Sequence, residues 1–174
     1  MTREEFVRKL GKIKLLALDV DGVLTDDSIY FGPDGFELKR FNISDGFLIV
    51  LAMRAGLEIA VVSGRYSAAT ETRMKDLRVT HVMQGMKDKV KMLEPLIEKL
   101  GIDFAEVAFV GNDLLDMKLA GKVGLSIAVA DADNRLIEIV DYVTAQGGGK
   151  GAVREILEDY FKARGIDPRE YIKG

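Results

Sequence analysis

Residues Leu15-Leu16-Ala17-Leu18-Asp19-Val20-Asp21-Gly22-Val23-Leu24-Thr25-Asp26 constrain the chain more than any other stretch. An apolar run stops at two carboxylates two residues apart, and a glycine follows. Continuous apolar runs of this kind are read as buried strands of a parallel sheet, covered on both faces. Open α/β sheets bind ligands beyond the carboxyl ends of their strands, which puts Asp19 and Asp21 at the mouth of a site. Two close carboxylates repel and raise each other's pKa unless a cation joins them. A hard divalent ion with oxygen ligands, Mg2+ first, resolves that conflict. An ordinary Asp-Gly turn accounts for Asp21 and Gly22, but it leaves Asp19 unexplained.

The rest of the chain alternates strand-like and helix-like segments, the pattern of an α/β domain with a mainly parallel sheet flanked by helices. Expected strands are 13–18, 57–62, 80–83, 107–110, 125–129 and 141–143. Expected helices are 44–55, 67–77, 87–100, 114–122, 134–140 and 152–164. Residues Ser28–Phe41 differ: Ile29-Tyr30-Phe31 and Phe36-Glu37-Leu38-Lys39 flank Gly32-Pro33-Asp34-Gly35, which reads as a projecting β-hairpin. Gly147-Gly148-Gly149-Lys150-Gly151 reads as a flexible loop before the last helix. No linker, repeat or large insertion divides the chain, so residues 1–174 are expected to form one domain without a cap.

Bulk properties exclude several classes. The 174 residues suit one domain with a real core, and 48% hydrophobic with 30% charged content is ordinary for a globular chain. The net charge of −3 and the lack of a basic run argue against nucleic acid as a partner. With no cysteine, disulfides, thiolate metal sites and cysteine nucleophiles are removed, which is compatible with a cytoplasmic location. No apolar stretch approaches the roughly 20 residues of a membrane span.

Four polar clusters each follow an expected strand, so all converge on one sheet edge. They are Asp19/Asp21, Ser63-Gly64-Arg65, Lys89, and Gly111-Asn112-Asp113-Leu114-Leu115-Asp116. The set fits phosphoryl transfer. A carboxylate attacks phosphorus to form an aspartyl phosphate, while a metal, a lysine and N–H groups neutralise the phosphoryl oxygens. Taken singly the clusters say less. Ser63 alone is a helix cap or turn residue, Lys89 alone a solvated helix lysine, and Asp116 a cap or an orienter of Lys89. Arg65 and Arg73 can also be read as surface charges. His81, the sole histidine, is read as structural.

In this order Asp-x-Asp-Gly-Val-Leu-Thr, Ser-Gly-Arg, Lys and Gly-Asn-Asp-x-x-Asp resemble the four motifs of the haloacid dehalogenase superfamily of phosphatases. Within it, Gly35–Asn42, Ser44-Asp45-Gly46, Val123–Ala132, Asp141–Thr144 and Gly148–Glu155 resemble the family of 3-deoxy-D-manno-octulosonate 8-phosphate phosphatases. The similarity spans about residues 12 to 157, and the motifs together are specific. It implies a capless, Rossmann-like phosphatase that needs Mg2+ and acts on a phosphorylated keto-sugar acid of lipopolysaccharide synthesis. Asp19 would be nucleophile and metal ligand. Asp21 would be general acid/base, substrate contact and, through its backbone carbonyl, metal ligand. Ser63 and Lys89 would hold the phosphoryl group. Asn42, Ile43, Ser44, Asp45, Gly46, Gly64, Arg65 and Arg73 would match substrate-contacting positions. The hairpin 28–41 resembles the element by which the family forms homotetramers. The Gly-rich turn and Arg154 resemble a segment that approaches a neighbouring subunit's site.

Asn112 departs from the family, which has Gly-Asp-Asp at Gly111-Asn112-Asp113. Asparagine oxygen is a legitimate Mg2+ ligand, but the site loses a charge, and Asp113 or Asp116 would compensate. A comparable asparagine occurs in phosphatase-like domains of sialic-acid synthesis. Two alternatives therefore stay open: a nonulosonate 9-phosphate phosphatase, and a catalytically weak oligomerisation module related to sugar-nucleotide synthetases.

Overall fold

The structure is a computed structural model that describes residues 1–172. Its centre is a six-stranded sheet in the order β5-β4-β1-β6-β7-β8. These are β1 (Leu15–Leu18), β4 (Glu58–Ser63), β5 (His81–Gln84), β6 (Val107–Gly111), β7 (Leu125–Ala128) and β8 (Tyr142–Val143), and every pairing is parallel. β1 lies in the middle, with Leu18 opposite Val61 on one side and Val110 on the other.

Side chains alternate across a strand, and here both faces are apolar. Leu16 and Leu18 enter a core shared with α1 (Arg3–Leu10), α2 (Ile43–Arg54), α3 (Ala68–Leu77) and α7 (Ala152–Arg164). Leu15 and Ala17 face the other core, built with α4 (Lys89–Leu100) and α5 (Met117–Ala120). A short α6 (Asn134–Ile137) completes the helices described. No described helix is long and apolar enough to cross a membrane.

The expected elements form, with shifted ends. The helix expected over 114–122 is broken into a 3-10 turn, Leu114–Asp116, and the short α5, because Asp116 turns its carboxylate back onto the N–H groups of Asn112 and Asp113. The helix expected from residue 87 starts at Lys89, where Asp88 caps it by accepting from the Lys91 N–H. α1 was not expected as a helix. Thr2 and Glu5 close its first turn as a capping box, and Phe6 and Leu10 are buried.

The hairpin between β1 and α2 pairs β2 (Tyr30–Phe31) with β3 (Glu37–Leu38), Phe31 opposite Glu37. It forms its own two-stranded sheet. Its turn places Asp34 and Gly35 at φ 61° and 75°, a region glycine occupies freely and aspartate less so.

Candidate active site

The carboxyl ends of β1, β4 and β6 and the start of α4 surround one cavity of about 120 Å3. Asp19, Asp21, Ser63, Gly64, Arg65, Lys89, Asn112 and Asp113 all line it. The four clusters read from the sequence thus meet in space, Leu115 and Asp116 of the fourth included, and Asp27 joins their wall.

At the centre is a buried ionic trio. The Lys89 ammonium lies 2.7 Å from Asp19 Oδ1 and 2.6 Å from Asp116 Oδ1. Lys89 is 3% exposed and Asp116 fully buried, so Lys89 is no solvated helix lysine. Asp116 Oδ2 accepts from the N–H groups of Asn112 (2.8 Å) and Asp113 (3.1 Å), which ties the lysine to the loop after β6. Gly111 is required there: a Cβ would meet the Asp116 carboxylate at 2.6 Å. Burial, and then the charge of Asp116, push the Asp19 carboxyl up to about 7 against the pull of Lys89. Burial lowers the Lys89 ammonium, but Asp19 and Asp116 outweigh it and the net shift is upward.

Asp21 faces the hairpin. Lys39 pairs with its Oδ1, and Arg65 Nε lies 3.5 Å from its Oδ2. The Lys39 side chain has no exposed surface. Arg65 also grips Glu37 with both terminal nitrogens, at 2.6 and 3.1 Å, and Ser67 Oγ donates to the same carboxylate at 2.7 Å. Glu37 and Lys39, two residues apart on an extended chain, therefore turn toward the site, while Phe36 and Leu38 are exposed. Sequence reading missed both as site residues, although that alternation was the available signal. Donation from Arg65 is the main cause that holds Glu37 down at about 2.

Ser63 Oγ donates to the Arg65 carbonyl at 2.9 Å and accepts from the Arg65 N–H at 3.3 Å, so its turn is preformed. Asp27 was also missed. It holds φ 63° without being glycine, and partial burial followed by the charges of Asp21, Asp113 and Asp131 raises its carboxyl. The sequence marks it only by adjacency to Asp26. His81 Nε2 lies 3.2 Å from Glu58 Oε2, and neither lines the cavity.

The donor set fits a small oxygen-seeking cation. Asn112 Oδ1 is buried and finds no hydrogen-bond partner among the described residues, an acceptor left for something else. Gly22, at φ 81°, packs so close that a Cβ would meet Asn112 Nδ2 at 1.9 Å. No three His, Cys, Asp or Glu among the described residues form a ready-made cage. Mg2+ does not need one, since it commonly takes one or two carboxylates and keeps several waters.

Other expected contacts lie outside the cavity wall. Asn42 caps α2, accepting from the N–H groups of Ser44 (2.8 Å) and Asp45 (3.2 Å). Ile43 is 82% exposed and Asp45 is buried. Arg73 pairs with Asp76 at 2.7 Å and lies across Gly46, where a Cβ would meet its guanidinium at 2.3 Å. The segment Gly147–Gly151, expected as a flexible loop, is instead wedged against the chain's own residues 22–26. Gly148 N–H donates to Asp131 Oδ1 at 2.8 Å and Gly149 N–H to the Val23 carbonyl at 2.9 Å.

Comparison with known proteins gives the family. The sequence profile of haloacid dehalogenase-like hydrolases matches residues 70–156. The 3-deoxy-D-manno-octulosonate 8-phosphate phosphatase of Escherichia coli (strain K12) is 46% identical over 161 residues, covering 92% of this chain and 86% of that protein. Its Yersinia pestis counterpart is 39% identical over 155 residues, covering 89% and 83%. The crystal structure of the Moraxella catarrhalis phosphatase, in complex with magnesium ion, phosphate ion and KDO molecule, matches with a TM-score of 0.91 at 37% identity, covering 94% of each chain. With its four motifs gathered in one cavity, the chain belongs to the 3-deoxy-D-manno-octulosonate 8-phosphate phosphatase family of haloacid dehalogenase-like hydrolases.

Proposed function

We propose that this phosphatase hydrolyses 3-deoxy-D-manno-octulosonate 8-phosphate, a lipopolysaccharide precursor, through an aspartyl phosphate on Asp19. The observation that carries the reading is the buried Asp19 carboxylate in the cavity wall with Lys89 at 2.7 Å. In the first half-reaction an Asp19 oxygen bonds to phosphorus and the ester P–O bond breaks. Asp21 gives a proton to the leaving alkoxide. In the second, Asp21 takes a proton from water, the water oxygen bonds to phosphorus, and the Asp19–phosphorus bond breaks. Lys89 and the Ser63 turn hold the phosphoryl oxygens.

Asp19, the Asp21 backbone carbonyl and Asn112 Oδ1 would hold Mg2+, with Asp113 and Asp27 adding negative charge nearby. Bound there, the ion supplies the positive charge that keeps Asp19 ionised and neutralises developing phosphoryl charge. Arg65 and Gly64 would meet the substrate beside the phosphate. Ile43, Ser44 and Arg73, outside the cavity wall, are left for its far end.

The same reading makes the protein a cytoplasmic homotetramer of single-domain subunits. Ile29, Tyr30, Phe31, Phe36 and Leu38 expose apolar surface on the hairpin, and such patches mark contact surfaces. Phosphate release from 3-deoxy-D-manno-octulosonate 8-phosphate and a nonulosonate 9-phosphate, with and without Mg2+, tests the function. Mg2+-dependent release from the eight-carbon substrate is expected. Preference for the nine-carbon substrate would change the pathway, and release from neither would leave the scaffold alternative.

A further inference from the structure

Helix α7 lacks a cap of its own. Its N-cap position is Gly151, at φ 104°, with no side chain to accept from the first-turn N–H groups. Those groups have no partner inside the helix and normally need one from outside. Asp45, in the first turn of α2, supplies it. Its Oδ1 accepts from the Arg154 N–H at 2.7 Å. Asp45 is 1% exposed, and its Oδ2 finds no partner among the described residues. One oxygen of the carboxylate is thus committed to α7, and the positive end of that helix is already occupied.

The turn leading into α7 touches the loop that carries Asp21. A Cβ on Gly148 would lie 1.8 Å from the Gly22 carbonyl oxygen, and one on Gly149 would lie 2.6 Å from the Thr25 carbonyl carbon. Asn42, the cap of α2, donates to the Gly149 carbonyl at 3.4 Å. The Gly22–Thr25 backbone is therefore held between Asn112 on one side and Gly148-Gly149 on the other. Asp45 and Asn42 set the position of that second wall from α2.

We propose that Asp45 is a positioning residue: by capping α7 it fixes the Gly148-Gly149 wedge against the Gly22–Thr25 backbone and so sets the main chain at Asp21. This rests on the phosphatase reading. Asp45→Ala loosens the wedge without touching substrate, and misplacement on the scale of an ångström costs up to about 100-fold in rate.

The test compares wild type, Asp45→Ala, Asp45→Asn and Gly148→Ala by steady-state phosphate release and by amide hydrogen exchange. Asp45→Ala is expected to lower kcat by about 10- to 100-fold with KM within about twofold. It should speed exchange at residues 22–26 and 147–151 while β4 and β6 stay protected. Asp45→Asn keeps an acceptor oxygen and restores most of kcat. Gly148→Ala, which pushes on Gly22 with Asp45 intact, reproduces the kcat loss and keeps the test decisive if Asp45→Ala does not fold. A raised KM with kcat preserved would make Asp45 a substrate contact and overturn the proposal. So would lower thermal stability with unchanged kcat and unchanged exchange at 22–26. The exchange arm needs no substrate, so a wild type that releases no phosphate sinks the phosphatase reading while the coupling is still decided.

Discussion

Lys89 and Asp116 are 3% and 0% exposed at the sheet edge, whereas Phe31 and Phe36 on the hairpin above are 72% and 66% exposed. The first region is finished by its own chain. Each charge has an opposite within hydrogen-bond distance, and each strand enters it buried on both faces. The hairpin is finished on one face only. Glu37 and Lys39 fasten it inward to Arg65 and Asp21, while its outward side chains meet solvent. A buried ionic cluster is costly unless fully paired, so the trio persists as a unit and fails as a unit. The hairpin carries its cost as exposed apolar area, which the proposed homotetramer would cover.

Removing one member of the trio is the harshest way to break this contrast. Lys89→Met leaves two carboxylates buried without their cation and is expected to cost about 3–5 kcal/mol of stability. Urea denaturation measures it, and a loss below about 1 kcal/mol would show that the trio does not act as a unit. Next in size is the metal pocket. Asn112→Asp returns one negative charge beside the proposed Mg2+ position and is expected to tighten the ion by about tenfold, roughly 1.4 kcal/mol. Calorimetric titration of Mg2+ checks it.

Much of the sheet edge was legible because its signals are local. An apolar run followed by polar residues marks a strand end, and four such ends must share one edge of a parallel sheet. What stayed hidden depends on contacts far apart in sequence. Lys39 reaches Asp21 and Glu37 reaches Arg65 only after the hairpin folds back. Gly147–Gly151 reads as flexible from composition, yet Gly148 and Gly149 are fixed by residues 22–26, more than a hundred positions earlier. Asp116 does hold Lys89, as one of its two readings has it, and the break it makes in the expected helix is local, its carboxylate turning back on the Asn112 N–H. The left-handed backbone at Asp27 has no signature in a sequence that offers no glycine there.

The hairpin's outer face can be probed with Phe31→Ser combined with Phe36→Ser. Light scattering should show dissociation into smaller species. Spectroscopic content should be unchanged, because exposed substitutions usually shift stability by no more than about 0.5 kcal/mol. An unchanged tetramer would place the interface elsewhere, and a wild-type monomer would remove it.

The inner face gives the smallest effect, and a pH dependence. The Arg65 guanidinium, first among its partners, takes Glu37 from its usual 4.5 down to about 2. A lowered carboxyl pKa means the folded state prefers the ionised form. Its stabilisation is therefore complete above pH 4.5 and is lost as pH falls through about 2. The thermal stability difference between wild type and Glu37→Gln should be constant above pH 5 and close toward pH 2. A difference that grows on acidification would have the opposite sign and contradict the pairing.

The proposed covalent bond between Asp19 and the phosphoryl group is open to rapid acid quench after mixing with substrate radiolabelled at phosphorus. An acid-stable, base-labile label is expected on the peptide containing Leu15–Thr25, present in wild type and absent in Asp19→Asn, whose turnover falls by about three orders of magnitude or more. Label retained in Asp19→Asn, or turnover within tenfold of wild type in that variant, would contradict it.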